Sequence, residues 1–394
     1  MKEVVVVGMA RTPIGSFGKS LTPLLSYQLG VIAVKEAIKR SGLEDKSLID
    51  DVLIGNCFMR TDEINVGRCV SLKSGIPFTT PAATIQRQCS SGMQSIAFGA
   101  QKIQTDECDI VVAGGVESMS NVPYVLYNMR WGARQMDVKA VDSLFQGLTD
   151  PFDHTLMGIT AENLAEKYNI SREEQDELAA LSNARACAAI DNGWFKDEII
   201  PVEIPQRKGD PKIFDTDEHP RRGATAESLG KLRPAFKKDG TVTAGNASGL
   251  NDGAAAMVIM SAEKCAELGL KPIAKITGHA LAGVEPHLMG YGPVPAINKL
   301  LKRKGMTLAD IDLFEVNEAF AAQYLACEQL LELDREKTNV VGSGIALGHP
   351  VGATGCRISI TLLHQMKRLG LHRGIASMCV GGGMGKAMMF ELMD

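Results

Sequence analysis

At 394 residues the chain is long enough for two or three domains and for burying roughly three quarters of its unfolded surface; with 45% hydrophobic and only 5% aromatic residues, the predicted core is aliphatic and alanine-rich. A net charge of −4 argues against a nucleic-acid binder, which would carry a strong basic excess. Nine scattered cysteines, with no Cys-x-x-Cys pair and no histidine cluster, exclude a disulfide framework and a metal site and point to reduced thiols in the cytoplasm; no run reaches the about 18 apolar residues of a membrane span, and Val4 to Val7 is too short for a signal segment.

In chain order, Val4 to Val7 reads as a buried strand followed by the turn Arg11-Thr-Pro-Ile-Gly15. Leu29 to Lys39 reads as a helix closing at Gly42, and Val52 to Ile54 as a strand ending in Gly55-Asn56. Ala82 to Gln86 has the β-branched character of a short strand, and Met93, Ile96, Ala97, Ala100 and Ile103 follow the period of a helix with one buried face. Cys89 therefore falls at a strand-to-helix turn, where free N–H groups and the helix dipole favour thiolate over thiol. A further strand, Ile110 to Ala113, is expected to stop at Gly114-Gly115. Strand and helix alternate, which predicts an α/β fold with a parallel or mixed sheet covered by helices.

Between Asn121 and Gly245 the texture changes. Seven of the sixteen prolines fall here, and periodicity survives only in a helical block from Thr160 to Asn192, where Ser171 and Glu174 have capping-box spacing. Between Arg207 and Lys238 nine Lys/Arg face five Asp/Glu, a local excess of four positive charges suited to a polyanionic ligand. An irregular insertion this long is usually functional.

The pattern resumes with a strand from Ala254 to Met260, and the last third then repeats the first. Lys39-Arg40-Ser41-Gly42 returns as Lys302-Arg303-Lys304-Gly305, and each is followed by an apolar strand ending in asparagine, Asn56 and Asn317. Cys89 follows Asn56 by 33 residues and His349 follows Asn317 by 32. Each precedes a glycine-containing helix start and then a strand closing in glycines, Gly114-Gly115 and, after Ile375 to Met378, Gly381-Gly382-Gly383. Matched landmarks at one offset predict a duplicated α/β unit. The expected halves are 1–120 with 246–271, and 272–394, with 121–245 inserted into the first. Duplication brings equivalent turns together, so Cys89, Asn317, His349 and Cys379 are predicted to converge: a nucleophile, a candidate base, a second thiol and glycine backbone that a carbonyl can approach.

Seven stretches carry a resemblance. Gln88-Cys-Ser-Ser-Gly92, Val116-Glu-Ser-Met119, Met157-Gly-Ile-Thr-Ala-Glu-Asn163 and Gly245-Asn-Ala-Ser-Gly-Leu-Asn-Asp-Gly253 resemble thiolase signatures. So do Asn317-Glu-Ala-Phe-Ala321, Gly348-His-Pro-Val-Gly-Ala-Thr-Gly355 and Cys379-Val-Gly-Gly-Gly-Met-Gly385, and all seven stand in family order. The match is nearest to the acetoacetyl-CoA thiolases, which are acetyl-CoA C-acetyltransferases. It implies the thiolase fold, duplicated halves in an α-β-α-β-α layered core with an inserted loop domain. It also implies reversible condensation of two acetyl-CoA to acetoacetyl-CoA and CoA, with CoA thioesters as substrates and no resident cofactor or metal.

In that family Cys89, with His349 as base, would be acetylated, and Cys379 as thiolate would take a proton from C2 of the second acetyl-CoA. His349 and a water on Asn317 would hold the enolate oxygen; the N–H groups of Cys89 and Gly381 would hold the tetrahedral intermediate. The resemblance places Arg221, Ser228 and Ser248 near the CoA nucleotide and pantetheine, Leu148, Phe236 and Ala244 along the channel, and Met157, Met289 and Phe320 at the acyl end. It also implies no nucleic-acid or membrane partner, and assembly as a homotetramer through Tyr124 to Val141.

One departure stands out. Acetoacetyl-CoA thiolases usually carry histidine before the Met-Gly of the third motif; here the residue is Leu156, with His154 two positions earlier. An apolar residue there admits a runner-up, a broader-chain 3-ketoacyl-CoA thiolase of fatty-acid β-oxidation. Decarboxylating ketoacyl synthases share the doubled fold but lack a second catalytic cysteine, so Cys379 argues for the thiolase. A non-catalytic CoA or lipid carrier would have lost one of Cys89, His349 and Cys379, and all three are present.

Overall fold

The computed structural model describes residues 1 to 393. Five main strands come from the first part of the chain and the segment after the insertion: β1 (Val4–Arg11), β2 (Asp51–Gly55), β3 (Ala82–Ile85), β4 (Ile110–Ser118) and β5 (Asn251–Ser261), in the order β1-β5-β4-β2-β3. Four more, β6 (Ala274–Gly283), β7 (Leu313–Val316), β8 (Arg373–Val380) and β9 (Met384–Leu392), lie in the order β7-β8-β9-β6. The two sets meet where β1 pairs with β6 through Val5 with Lys275 and Val6 with Ala274. β2 runs parallel to β3 and β4, as β7 does to β8. Such pairs need crossover helices, and the alternation of apolar runs supplies them.

Side-chain alternation along β1 sorts the layers. Val5 and Val7 face an outer core with Leu29, Val34 and Ile38 of α1 (Ser26–Ser41) and Val66 and Val70 of α2 (Val66–Lys73). Val4 and Val6 face the central core with Met93, Ile96, Ala97, Ala100 and Ile103 of α3 (Ser91–Gln104), the five positions expected from their spacing. On the far side α6 (Pro293–Lys304) and α7 (Ala321–Leu331) pack over Phe314, Ile375 and Met389. Between the sheets α3 meets α8 (Val351–Leu369), buried around nearly its whole circumference, as a helix between two sheets must be. The layers run α-β-α-β-α, as expected.

Two expectations are corrected. Gly114-Gly115 does not end its strand, because β4 continues to Ser118. The glycines permit close approach: a Cβ on Gly115 would lie 2.1 Å from the Gly352 carbonyl oxygen, and one on Gly114 2.4 Å from that of Ala255. The block from Thr160 to Asn192 is two helices, α4 (Met157–Tyr168) and α5 (Arg172–Asp191). Asn169 in the left-handed region (φ 54°) ends α4, and the Ser171–Glu174 capping box opens α5. No helix among the described residues is long and apolar enough to cross a membrane.

Candidate active site

The chain leaves β3 at Ile85 and enters α3 at Ser91, and Gln88 takes a left-handed conformation (φ 43°) in between. Ser91 fastens that turn, its N–H donating to the Gln88 carbonyl at 3.0 Å and its Oγ accepting from the Arg87 N–H at 2.9 Å. A non-glycine residue held there costs about 1 kcal/mol or more, which places strain directly before Cys89. The equivalent turn before α8 carries His349. Its N–H donates to Asn251 Oδ1 at 2.9 Å, and its Nδ1 lies 2.7 Å from Thr354 Oγ1. Cys379, at the end of β8, is fully buried against Met157, Met289, Ala319 and Phe320.

These three side chains line one cavity of about 340 Å³. Leu148, Leu156, Met157, Phe236, Met289 and Phe320 form apolar walls, as the resemblance implied, and Arg221, Ala244 and Ser248 also line it. Ser228 does not: it is exposed on the short helix Ala226–Gly230 with its Oγ donating to the Thr225 carbonyl at 2.9 Å. Gly381 borders a smaller pocket behind Cys89. Asn317 is buried at the end of β7, and neither atom of its side-chain amide has a protein partner. Of the basic residues between Arg207 and Lys238, Arg221 alone reaches the cavity wall, whereas Arg222, Lys231 and Lys237 pair with Asp191, Glu227 and Glu166. His154 is exposed with φ 60°, so the backbone is not extended there, and it does not line the cavity.

Electrostatics correct the expectation of resting thiolates. Burial pushes the Cys89 thiol up, and hydrogen bonds from the N–H of Gly381 and of Cys89 itself offset this in part. Cys379 is pushed well up by burial and by the neighbouring Cys89 sulfur. His349 is pushed down to about 3 by burial and by the Arg357 cation. The resting site is therefore two thiols and a neutral imidazole: loss of solvent outweighs the helix terminus. The tautomer follows from one hydrogen. Thr354 Oγ1 donates to the Pro350 carbonyl at 2.9 Å, so toward His349 it can only accept. His349 therefore carries its proton on Nδ1 and keeps Nε2 as a bare acceptor.

Asn251, Thr354 and Glu117 support the site without having been singled out for it. Each lies inside one of the seven motifs, which was the available signal.

Comparisons with known proteins agree along the whole chain. The thiolase N-terminal domain model matches residues 4–263 and the thiolase C-terminal domain model residues 270–392. An acetyl-CoA acetyltransferase of Pseudomonas aeruginosa is 49% identical, over 98% of this chain and 99% of its own. The crystal structure of the Bacillus anthracis acetyl-CoA acetyltransferase superposes with a TM-score of 0.98 at 52% identity, covering 100% of this chain and 99% of that one. Human mitochondrial 3-ketoacyl-CoA thiolase, solved in complex with CoA, superposes at 0.96 with 46% identity, covering 100% and 98%.

Proposed function

This chain belongs to the thiolase family, and from that premise we infer that it is an acyltransferase of the acetyl-CoA C-acetyltransferase type, joining two acetyl-CoA into acetoacetyl-CoA and CoA reversibly. One observation carries the reading: Cys89, His349 and Cys379 open onto a single cavity.

His349 Nε2 takes the Cys89 proton as the sulfur attacks the acetyl-CoA carbonyl. The N–H groups of Cys89 and Gly381, which already reach the Cys89 sulfur, hold the oxyanion; losing one such donor costs about 10² to 10³ in rate. The tetrahedral intermediate collapses, the C–S bond to CoA breaks, and the departing CoA thiolate takes the Cys379 proton. That leaves S-acetyl-Cys89, a Cys379 thiolate and a His349 imidazolium with a hydrogen now on Nε2. When the second acetyl-CoA binds, Cys379 removes a proton from its C2, while the His349 Nε2–H and the free amide of Asn317, through a water, stabilise the enolate oxygen. The enolate carbon attacks the acetyl group, the Cys89–acyl bond breaks, and the Cys89 sulfur takes back the proton that His349 holds. The remaining proton on Cys379 restores the resting site. The chemistry runs on CoA thioesters without a resident cofactor.

Arg221 and Ser248 serve the CoA arm, and we assign Ser228, exposed outside the cavity, to the nucleotide end of the same ligand. Leu148, Phe236 and Ala244 line the channel, and Leu156, Met157, Met289 and Phe320 close on a short acyl group. We read 1–120 with 246–271 and 272–394 as the two copies of one unit, 121–245 as the insertion, and the working form as a cytoplasmic homotetramer. Incubation with labelled acetyl-CoA and mass analysis of the cysteine peptides tests the chemistry. Acetyl is expected on Cys89 in the parent chain and in Cys379→Ser, with condensation lost in the latter; label on a different cysteine refutes the assignment.

A further inference from the structure

The corner that holds Asn317 and Cys379 is built a second time. In one set of strands Gly55 pairs with Gly115, and in the other Val316 pairs with Ser377. The next residues are Asn56 and Asn317, and the residues two past the paired position on the neighbouring strand are Glu117 and Cys379. The helix starts correspond in the same way: Cys89 stands two residues before α3, and His349 two before α8. Glu117 is thus the structural equivalent of Cys379, and Asn56 that of Asn317.

The two corners differ in how they are satisfied. Asn317 has both amide atoms free of protein partners. Asn56 Nδ2 donates to Glu117 Oε1 at 2.7 Å, and Glu117 is wholly buried. Its Oε1 also accepts from the Phe58 N–H at 3.2 Å, and its Oε2 from the N–H of Cys57 at 3.1 Å and of Gly352 at 2.8 Å. Gly352 lies in the first turn of α8, three residues after His349; burial pushes the Glu117 carboxyl up to about 7, and the N–H groups of Phe58, Gly352 and Cys57 offset this in part, as free N–H groups at a helix start do. The contact is close: a Cβ on Gly352 would stand 2.5 Å from the Val116 carbonyl oxygen and 2.9 Å from the Cys57 nitrogen.

We propose that Glu117 is a positioning residue for His349, clamping the first turn of α8 to the end of β2 so that the imidazole keeps its alignment with Cys89. All four hydrogen bonds arrive from donors, so the carboxylate cannot be replaced by an amide without turning an NH₂ group onto two of them. Glu117 does not line the main cavity, so its influence reaches the chemistry through α8 and not through substrate contact.

The proposal rests on the Cys89 and His349 roles given above, and a double-mutant cycle on the rate of Cys89 acetylation separates the two. Glu117→Gln is expected to slow acetylation about 10- to 100-fold, the scale of loss that a small misplacement of a catalytic group brings. The KM for acetyl-CoA should stay within about twofold, and in a His349→Ala background the same change should cost less than about twofold more, because residues acting through one group are not additive. If His349→Ala alone leaves acetylation intact, the underlying assignment fails. If His349→Ala slows it and Glu117→Gln multiplies its full factor on top, or if KM carries the whole effect, the positioning role is overturned. Should Glu117→Gln not fold, Glu117→Asp, which keeps both acceptor oxygens on a shorter arm, goes through the same cycle with the same two outcomes.

Discussion

The hydroxyl hydrogen of Thr354 is committed to the Pro350 carbonyl, and that commitment leaves His349 Nε2 free to take a proton. Thr354→Val removes the acceptor and leaves a buried Nδ1–H unpaired, which costs about 1 to 3 kcal/mol and releases the tautomer. The burst of CoA release on mixing with acetyl-CoA should slow about tenfold or more, by the same energy scale, whereas Thr354→Ser should keep the parent rate. Equal losses in the two variants would show that the hydroxyl does not set the tautomer. Cys89, His349 and Cys379 were legible in the sequence because each sits in a glycine-marked turn at a repeating offset. Asn251 and Glu117 were not legible as supports, since they act on residues 98 and 235 positions away. The ionisation of Cys89 was not legible for a related reason. Its helix start is visible locally, but the burial that outweighs it comes from the whole fold.

At the level of elements, β9 carries a lysine where the central core wants an apolar side chain. Lys386 is fully buried on the face of β9 that meets α3, and its Nζ has one protein acceptor, Gln94 Oε1 at 3.1 Å. Burial, reinforced by the Arg87 cation, pushes it down to about 7 from 10.5. Between those values the unfolded chain holds the proton and the folded chain does not, so stability rises with pH across that window; below about 7 both states are charged and the desolvation cost is felt in full. Lys386→Met should therefore raise Tm most near pH 6.5, by an energy on the order of a few kcal/mol, and least near pH 10. Thermal melts at the two pH values check this, and an equal gain at both would exclude titration of Lys386 as the cause. Elements with a clean period, such as α3 with its five apolar positions, were readable in advance. Glycines were ambiguous: in Gly114-Gly115 they mark a close backbone approach inside a strand, and the break between α4 and α5 turned on one left-handed asparagine.

Across the whole molecule, the doubling was readable from offsets alone, because paired asparagines and helix starts survive in the sequence as fixed spacings. The insertion was readable only as a change of texture, since its form depends on what it covers. Its outermost segment, Tyr124 to Val141, leaves Tyr124, Tyr127, Trp131 and Met136 exposed, with Trp131 at 83% and Met136 at 93%, more apolar surface than a free loop normally presents. If that surface joins two dimers, Trp131→Ser combined with Met136→Ser should shift the protein from tetramer to dimer in sedimentation velocity while each site keeps its kcat. A chain that sediments identically before and after would remove this segment from the assembly. The single cavity has its own consequence for the order of events. At about 340 Å³ it is near the lower bound for a pocket holding one small molecule, and the route through S-acetyl-Cys89 brings the two thioesters to it one after the other. The first visitor must leave its two carbons behind and depart before the next one enters, and the sulfur of Cys89 is the only record of it in between.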